Sequence, residues 1–293
     1  MALATRPSHL GVEGFRFLGP SLRVLAGVVL CAGHIAQAQA LFGGDQGKLL
    51  LTGGATQVEG AGGGGLVPWA LITGYGSRDS VGANAHFTTV KTSDFSLNST
   101  GVAVGIYDRI ELSLNRHDFR ITADGSGLPL VGVKVEQDIV GLKVKVAGDA
   151  VYDQDSAMPQ LTVGLMHKRN RGLVGGAFGA GIDTVDLGAT SNSGTDVYLA
   201  ATKLLLAHSL LVNGTLRFTK ANQFGLLGFG GDKRNKLRPE LEASLAYLLT
   251  RSLAVGAEVR TKPRNLSLDN EGAAWDVFVA WAPKRTCPLL RLT

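Results

Sequence analysis

Charge is scarce in this chain. Asp, Glu, Lys and Arg make up 18% of its 293 residues, against about 25% in an average soluble domain. Disorder needs high net charge and few apolar residues, and here the apolar share is 45%, so a disordered chain is excluded. Two cysteines, Cys31 and Cys287, are too few for a disulfide scaffold or a four-ligand zinc centre. Beyond the N-terminus no window offers 18 consecutive apolar residues, which removes a spanning helix from the remaining chain. The formal charge of +5 is spread along the sequence rather than gathered in a patch, so nucleic acid is not an expected partner.

What is abundant is glycine. Forty glycines are near twice the usual share of about 7%. Each would cost about 1 kcal/mol inside a helix, so the composition points away from helical bundles and toward β structure.

The first forty residues read as an address. Arg6, Arg16 and Arg23 face only Glu13, an apolar stretch runs from Val24 to Gly33, and small residues close the segment at Ala36, Ala38 and Ala40. A basic start, a short apolar middle and an A-x-A end make a secretory signal peptide, with cleavage expected after Ala38 or Ala40. The apolar stretch spans about ten residues, half of what a membrane helix needs. Cleavage at Ala40 lowers the charge by two, to +3, and leaves Cys287 as the one thiol, which cannot form an internal bridge. An exported chain without a second hydrophobic helix is either a soluble protein or an outer-membrane β-barrel.

A period of two then runs through the sequence. Ile110, Leu112 and Leu114 alternate with Glu111, Ser113, Asn115 and His117. Val140, Leu142, Val144 and Val146 alternate with Gly141, Lys143, Lys145 and Ala147, and Leu241 to Tyr247 alternates with Glu240, Glu242 and Ser244. Leu253, Val255, Ala257 and Val259 stand opposite Glu258 and Arg260. Such segments are strands with one apolar and one polar face. They run about 9–12 residues, the length that crosses a bilayer, where soluble strands average about 5–6.

The sequence predicts an all-β, transmembrane antiparallel barrel of about twelve strands, near 48–57, 67–76, 81–91, 95–106, 109–119, 138–147, 159–168, 196–206, 209–219, 238–248, 252–261 and 274–282. From the fourth strand on, short or medium links (107–108, 148–158, 207–208, 249–251) alternate with long ones (120–137, 169–195, 220–237, 262–273), as periplasmic turns alternate with external loops. This parity places the N-terminus and the end of the last strand on the periplasmic side. Trp69, Tyr75, Phe87, Phe95, Tyr107, Tyr198, Phe218, Trp275 and Trp281 fall near strand ends, where interfacial aromatic girdles occur.

Four segments carry a family likeness: residues 53–72, with the run Gly60-Ala61-Gly62-Gly63-Gly64-Gly65-Leu66-Val67-Pro68-Trp69, and residues 148–155, 194–203 and 219–232. Together they resemble a family of exported proteins of Gram-negative bacteria catalogued as domain of unknown function 3034, over about residues 45–283. The resemblance implies an outer-membrane barrel that meets outer-membrane lipid and, during biogenesis, the barrel-assembly machinery. It brings no established activity, so no catalytic residue is carried over. The chain accordingly divides into a signal peptide at 1–40, a barrel at 41–283 and an atypical tail at 284–293. Pro283 and Pro288 make residues 283–293 a poor strand, and the family's closing aromatic is missing there.

Candidate chemistry is thin. Residues 60–65 match G-x-G-x-x-G, but Pro68 and a strand-like run come next in place of the helix that a dinucleotide needs, so a turn or a constriction folded toward the lumen is the better reading. Asp149, Asp153 and Asp155 are weak metal candidates, since the spacing lacks the Gly and distal Glu of a calcium loop and fits a solvated turn. His117 comes nearest to a lipid hydrolase, yet no serine motif accompanies it. No cofactor motif emerges, and an enzyme is not expected. The polar faces direct Lys143, Lys145, Glu240, Glu242, Glu258 and Arg260 toward the lumen, where charges either set pore selectivity or brace a closed interior. The favoured expectation is a passive pore for small polar or amphipathic solutes. The alternative is a non-transporting structural or adhesive envelope barrel.

Overall fold

The computed structural model describes residues 53, 55–74, 78–122, 131–179, 181–269 and 272–281. The expected signal peptide and the 284–293 tail lie outside them. Ten strands succeed one another: β1 Val81–Lys91, β2 Phe95–Ile106, β3 Ile110–Ile121, β4 Lys134–Ala147, β5 Gln160–Val174, β6 Ser193–Leu205, β7 Leu210–Thr219, β8 Arg238–Thr250, β9 Leu253–Arg260 and β10 Ala274–Trp281. They form one antiparallel sheet in simple chain order, each strand paired to the next.

These ten coincide with the last ten expected segments, and the first two differ. Within 48–57 and 67–76, the described residues form turns and isolated bridges, Thr56 with Gly62 and Gly63 with Pro68, instead of strands. The reason is local. Glycines break side-chain packing on both flanks and Pro68 lacks a donor, so the run 55–74 cannot sustain a ladder. It lies instead along the inner face of the sheet as an irregular inner segment.

β4 and β5 are also longer than their alternation indicates. Their extensions carry cross-strand charge pairs on the outer face, Arg116 with Glu136 at 2.6 Å and Arg171 with Asp138 at 2.5 Å, which support a ladder without apolar alternation.

The two faces are inverted relative to a water-soluble protein. Leu112 is 49% exposed and Val144 39%, while Glu111 and Lys143 beside them are each 1% exposed. Leu114, Val140, Leu165, Leu199, Leu241, Leu245, Val277 and Val279 continue the exposed apolar face around the sheet. The sheet must curl strongly, because the inner segment touches side chains from nine successive strands. It bonds Asn84 of β1, Ser99 of β2, Glu111 of β3, Lys143 of β4, Gln160 of β5, Thr202 of β6, Thr215 of β7, Ser244 of β8 and Glu258 of β9.

The links at one end of the sheet are 107–109, 148–159, 206–209 and 251–252, and those at the other are 92–94, 122–133, 175–192, 220–237 and 261–273. At the short-link end Tyr107, Tyr152, Tyr247 and Trp281 are exposed. Two residues expected in the aromatic girdles are inside instead. Trp69 is buried with its indole N–H donated to Ser244 Oγ at 3.0 Å, and the Tyr198 ring is buried against Gly164, its partner in the register. A Cβ at Gly164 would overlap that ring, whereas one at Gly214 of β7 would meet nothing. Gly164→Ala is expected to lower the urea midpoint by an amount equivalent to about 1–3 kcal/mol through overpacking. Gly214→Ala is expected to stay within about 0.5 kcal/mol of the parent, as an exposed substitution does.

Candidate functional site

The site is the interior itself, where a backbone with little side-chain bulk meets a wall of charged and amide side chains. Glycine is required at two positions. At Gly64 a Cβ would overlap the Glu258 carboxylate, and at Gly62 it would stand 2.9 Å from Glu111 Oε2. The absence of a Cβ at these two positions leaves room for the wall carboxylates beside the backbone.

Three clusters hold the segment. In the first, Glu111 and Lys143 face each other across β3 and β4 in register and pair at 3.0 Å. Glu111 accepts the Gly62 amide at 2.9 Å and the Thr73 amide at 2.8 Å, and Lys143 Nζ donates to the carbonyls of Gly62 and Leu71 at 2.9 and 2.8 Å. Two fully buried charges thereby find hydrogen bonds as well as each other, which buried ions require.

In the second, Glu258 accepts the Leu66 amide at 2.6 Å and the Ser244 hydroxyl at 2.6 Å. In the third, the Glu59 carboxylate meets Lys168, Arg217 and Arg260 from β5, β7 and β9, with Asp196 and Glu242 completing the group. A fourth contact is neutral. The Val58 carbonyl accepts from Ser99 Oγ at 2.6 Å and Asn115 Nδ2 at 3.0 Å, and it lies 2.7 Å from His117 Nε2.

Apolar layers close the interior at both ends. Trp69 and Leu71 pack with Ala150, Leu204, Leu211 and Ala246 toward the short links. Val133, Val135, Leu173 and Leu226 pack together toward the long ones. The 220–231 loop also folds inward there: Asn170 Nδ2 donates to the Leu226 carbonyl at 2.7 Å, and the Phe224 ring lies 4.3 Å from the Arg260 guanidinium. Gln223 and Phe224 take left-handed backbone angles, φ 47° and 62°, a conformation side chains other than glycine adopt only under constraint.

Of the six charges read from the polar faces, Lys143, Glu242, Glu258 and Arg260 sit in these clusters. Glu240, also buried, accepts the Thr261 hydroxyl at 2.5 Å. Lys145 lies at the rim near the short links, 2.9 Å from Asp108 and 3.5 Å from Asp149. Alternation locates these residues and misses their partners Glu59, Lys168, Asp196 and Arg217. Glu59 lies in a glycine-rich run, Lys168 and Asp196 lie in strands whose inner face mixes polar and apolar residues, and Arg217 holds a regular polar position of β7 beside Thr215 and Thr219.

The three aspartates weighed for metal do not converge. Asp149 accepts the amides of Val151 and Tyr152 at 2.9 and 2.8 Å, while Asp153 and Asp155 are exposed. Burial pushes the Asp149 carboxyl up, but those amides and the Lys145 ammonium outweigh it and hold the group below the usual carboxylate range. Among the described residues no group of three His, Cys, Asp or Glu is gathered for a metal. Residues 60–65 enter no helix and are spent on the interior hydrogen bonds above.

Removing one partner of a buried pair strands the other. Lys143→Met is expected to destabilise the chain by about 3–5 kcal/mol in urea titration. The Glu111→Gln/Lys143→Met double variant is expected to lose less than the lysine variant alone, a coupling that a double-mutant cycle measures.

Comparison with curated proteins and with solved structures returned no match. Residues 52–291 match the family described as protein of unknown function DUF3034. Since that match covers most of the sequence, the chain belongs to this family.

Proposed function

We propose that this chain is an exported outer-membrane β-barrel held shut by its own inner segment, serving the envelope as a closed wall element rather than as a standing pore. One observation carries the reading: the sheet turns its apolar side chains outward and buries its ions. An exposed face bearing Leu112, Leu114, Val140, Val144, Leu241 and Leu245 is unfavourable in water and suited to lipid tails. The aromatic side chains at the short-link end fit an interfacial girdle, and the long links at the other end fit external loops.

Closure is supported by the clusters at Glu59 and Glu111, which pair their buried charges, and by Glu258, whose carboxylate is held by the Leu66 amide and the Ser244 hydroxyl. The passive pore for small polar or amphipathic solutes is retained as the state that would result from withdrawal of residues 55–74. A lipid hydrolase is disfavoured. His117 is buried against the Val58 carbonyl, and Ser99, its partner in the register, spends its hydroxyl on the same carbonyl.

Two measurements test this. Val140→Arg, at mid-strand opposite Leu114, is expected to cost about 2–4 kcal/mol if its site faces the bilayer interior, and almost nothing if the face is wet; folding into lipid vesicles compared with detergent-free buffer reads the difference. In planar bilayers the intact refolded chain is expected to show no conductance steps, and a chain lacking residues 55–73 to show them. Recovery of the native protein in the soluble fraction, without heat-modifiable gel migration, would remove the proposal.

A further inference from the structure

The cluster around Glu59 has a property the other two lack, and its consequence rests on the sealed-barrel reading and deepens it. Three cations from alternate strands converge on a carboxylate that none of those strands supplies. Arg260 grips it with both terminal nitrogens, Nη1 to Oε2 at 2.8 Å and Nη2 to Oε1 at 3.2 Å. Lys168 Nζ donates to Oε1, and Arg217 Nη1 stands 3.5 Å from Oε2. The wall itself adds two carboxylates: Asp196 lies 2.7 Å from Lys168, and Glu242 lies 2.5 Å from Arg217 and 3.1 Å from Arg260. Without Glu59, three fixed cations would therefore face two fixed anions. All six groups are buried, so the excess charge could not be screened by solvent.

We propose that Lys168, Arg217 and Arg260 form an anion-binding socket in the barrel wall, that Glu59 is its built-in occupant, and that a small carboxylate-bearing solute takes its place when the inner segment withdraws. The excess of one positive charge selects a monoanion. The paired nitrogens of Arg260, set against two oxygens, match a planar carboxylate better than a spherical halide. The Phe224 ring over Arg260 and the Tyr198 ring 5.3 Å from Arg217 enclose the cations with aromatic faces, which tolerate cations without competing for the anion.

The test is rescue of an emptied socket in the full chain refolded in detergent micelles. Glu59→Ala is expected to melt below the parent and to regain stability with sodium formate but not with sodium chloride at equal ionic strength. At tenfold excess of formate over its Kd, the expected rise is about 3–6 °C for a chain of this size, against less than about 1 °C in the parent. Adding Arg260→Met to Glu59→Ala is expected to abolish the formate response. Should Glu59→Ala fail to fold, refolding yield is read instead: recovery with formate and not with chloride supports the socket, and equal failure in both overturns it. Equal formate responses in parent and variant would overturn it as well. Membrane fractionation of the parent reads the barrel proposal separately, since the formate response belongs to the socket in any medium.

Discussion

Ten strands that bury their charges can hold together only if those charges are answered inside the fold. Moving an ion out of water costs several kcal/mol even after relaxation, and attraction between two buried ions recovers this only when their remaining hydrogen-bonding capacity is also filled. Glu111 and Lys143 satisfy each other and four backbone groups of the inner segment. Glu59 completes a six-membered group with Lys168, Arg217, Arg260, Asp196 and Glu242. The wall and the segment are therefore one electrostatic unit.

Glycine makes that unit sterically feasible. The backbone at Gly62 and Gly64 approaches wall carboxylates more closely than a Cβ would allow; the Gly62 amide donates to Glu111, and just past Gly64 the Leu66 amide donates to Glu258. The same residues prevent the segment from forming a strand of its own. One composition bias thus accounts for both the irregular backbone of 55–74 and its close docking.

Three of the four sequence segments that carry the family likeness meet in this interior, and the fourth lies at its short-link end. Residues 53–72 are the inner segment, 194–203 contribute Asp196, Tyr198 and Thr202, and 219–232 bring Phe224 over Arg260. Residues 148–155 form the turn in which Asp149 caps the chain and Ala150 joins the apolar layer at the short-link end. Their location gives the likeness a physical content: 55–72 and 219–232 fold against the inner face, 194–203 lies in β6 opposite them, and 148–155 forms the turn at the short-link end.

The sequence by itself located the ten strands from Val81 on, because a period of two is a local property that survives any tertiary arrangement; it also placed two strands before Val81 where the described residues form turns and isolated bridges. Alternation at Ile110–Leu114 or Val140–Val146 identifies both the strand and the face each side chain shares with its neighbours. Linear pattern could not say what stands opposite the polar face. Glu59 and Arg260 are 201 positions apart, and only curling of the sheet brings Lys168, Arg217 and Arg260 to one carboxylate. Trp69 and Tyr198 show the same limit: an aromatic near an expected strand end reads as interfacial until the tertiary structure places it against Ser244 or Gly164. Hydrophobic periodicity is written in nearest neighbours, whereas charge compensation is settled between distant segments, and for that reason the tertiary structure alone decided that the interior is filled.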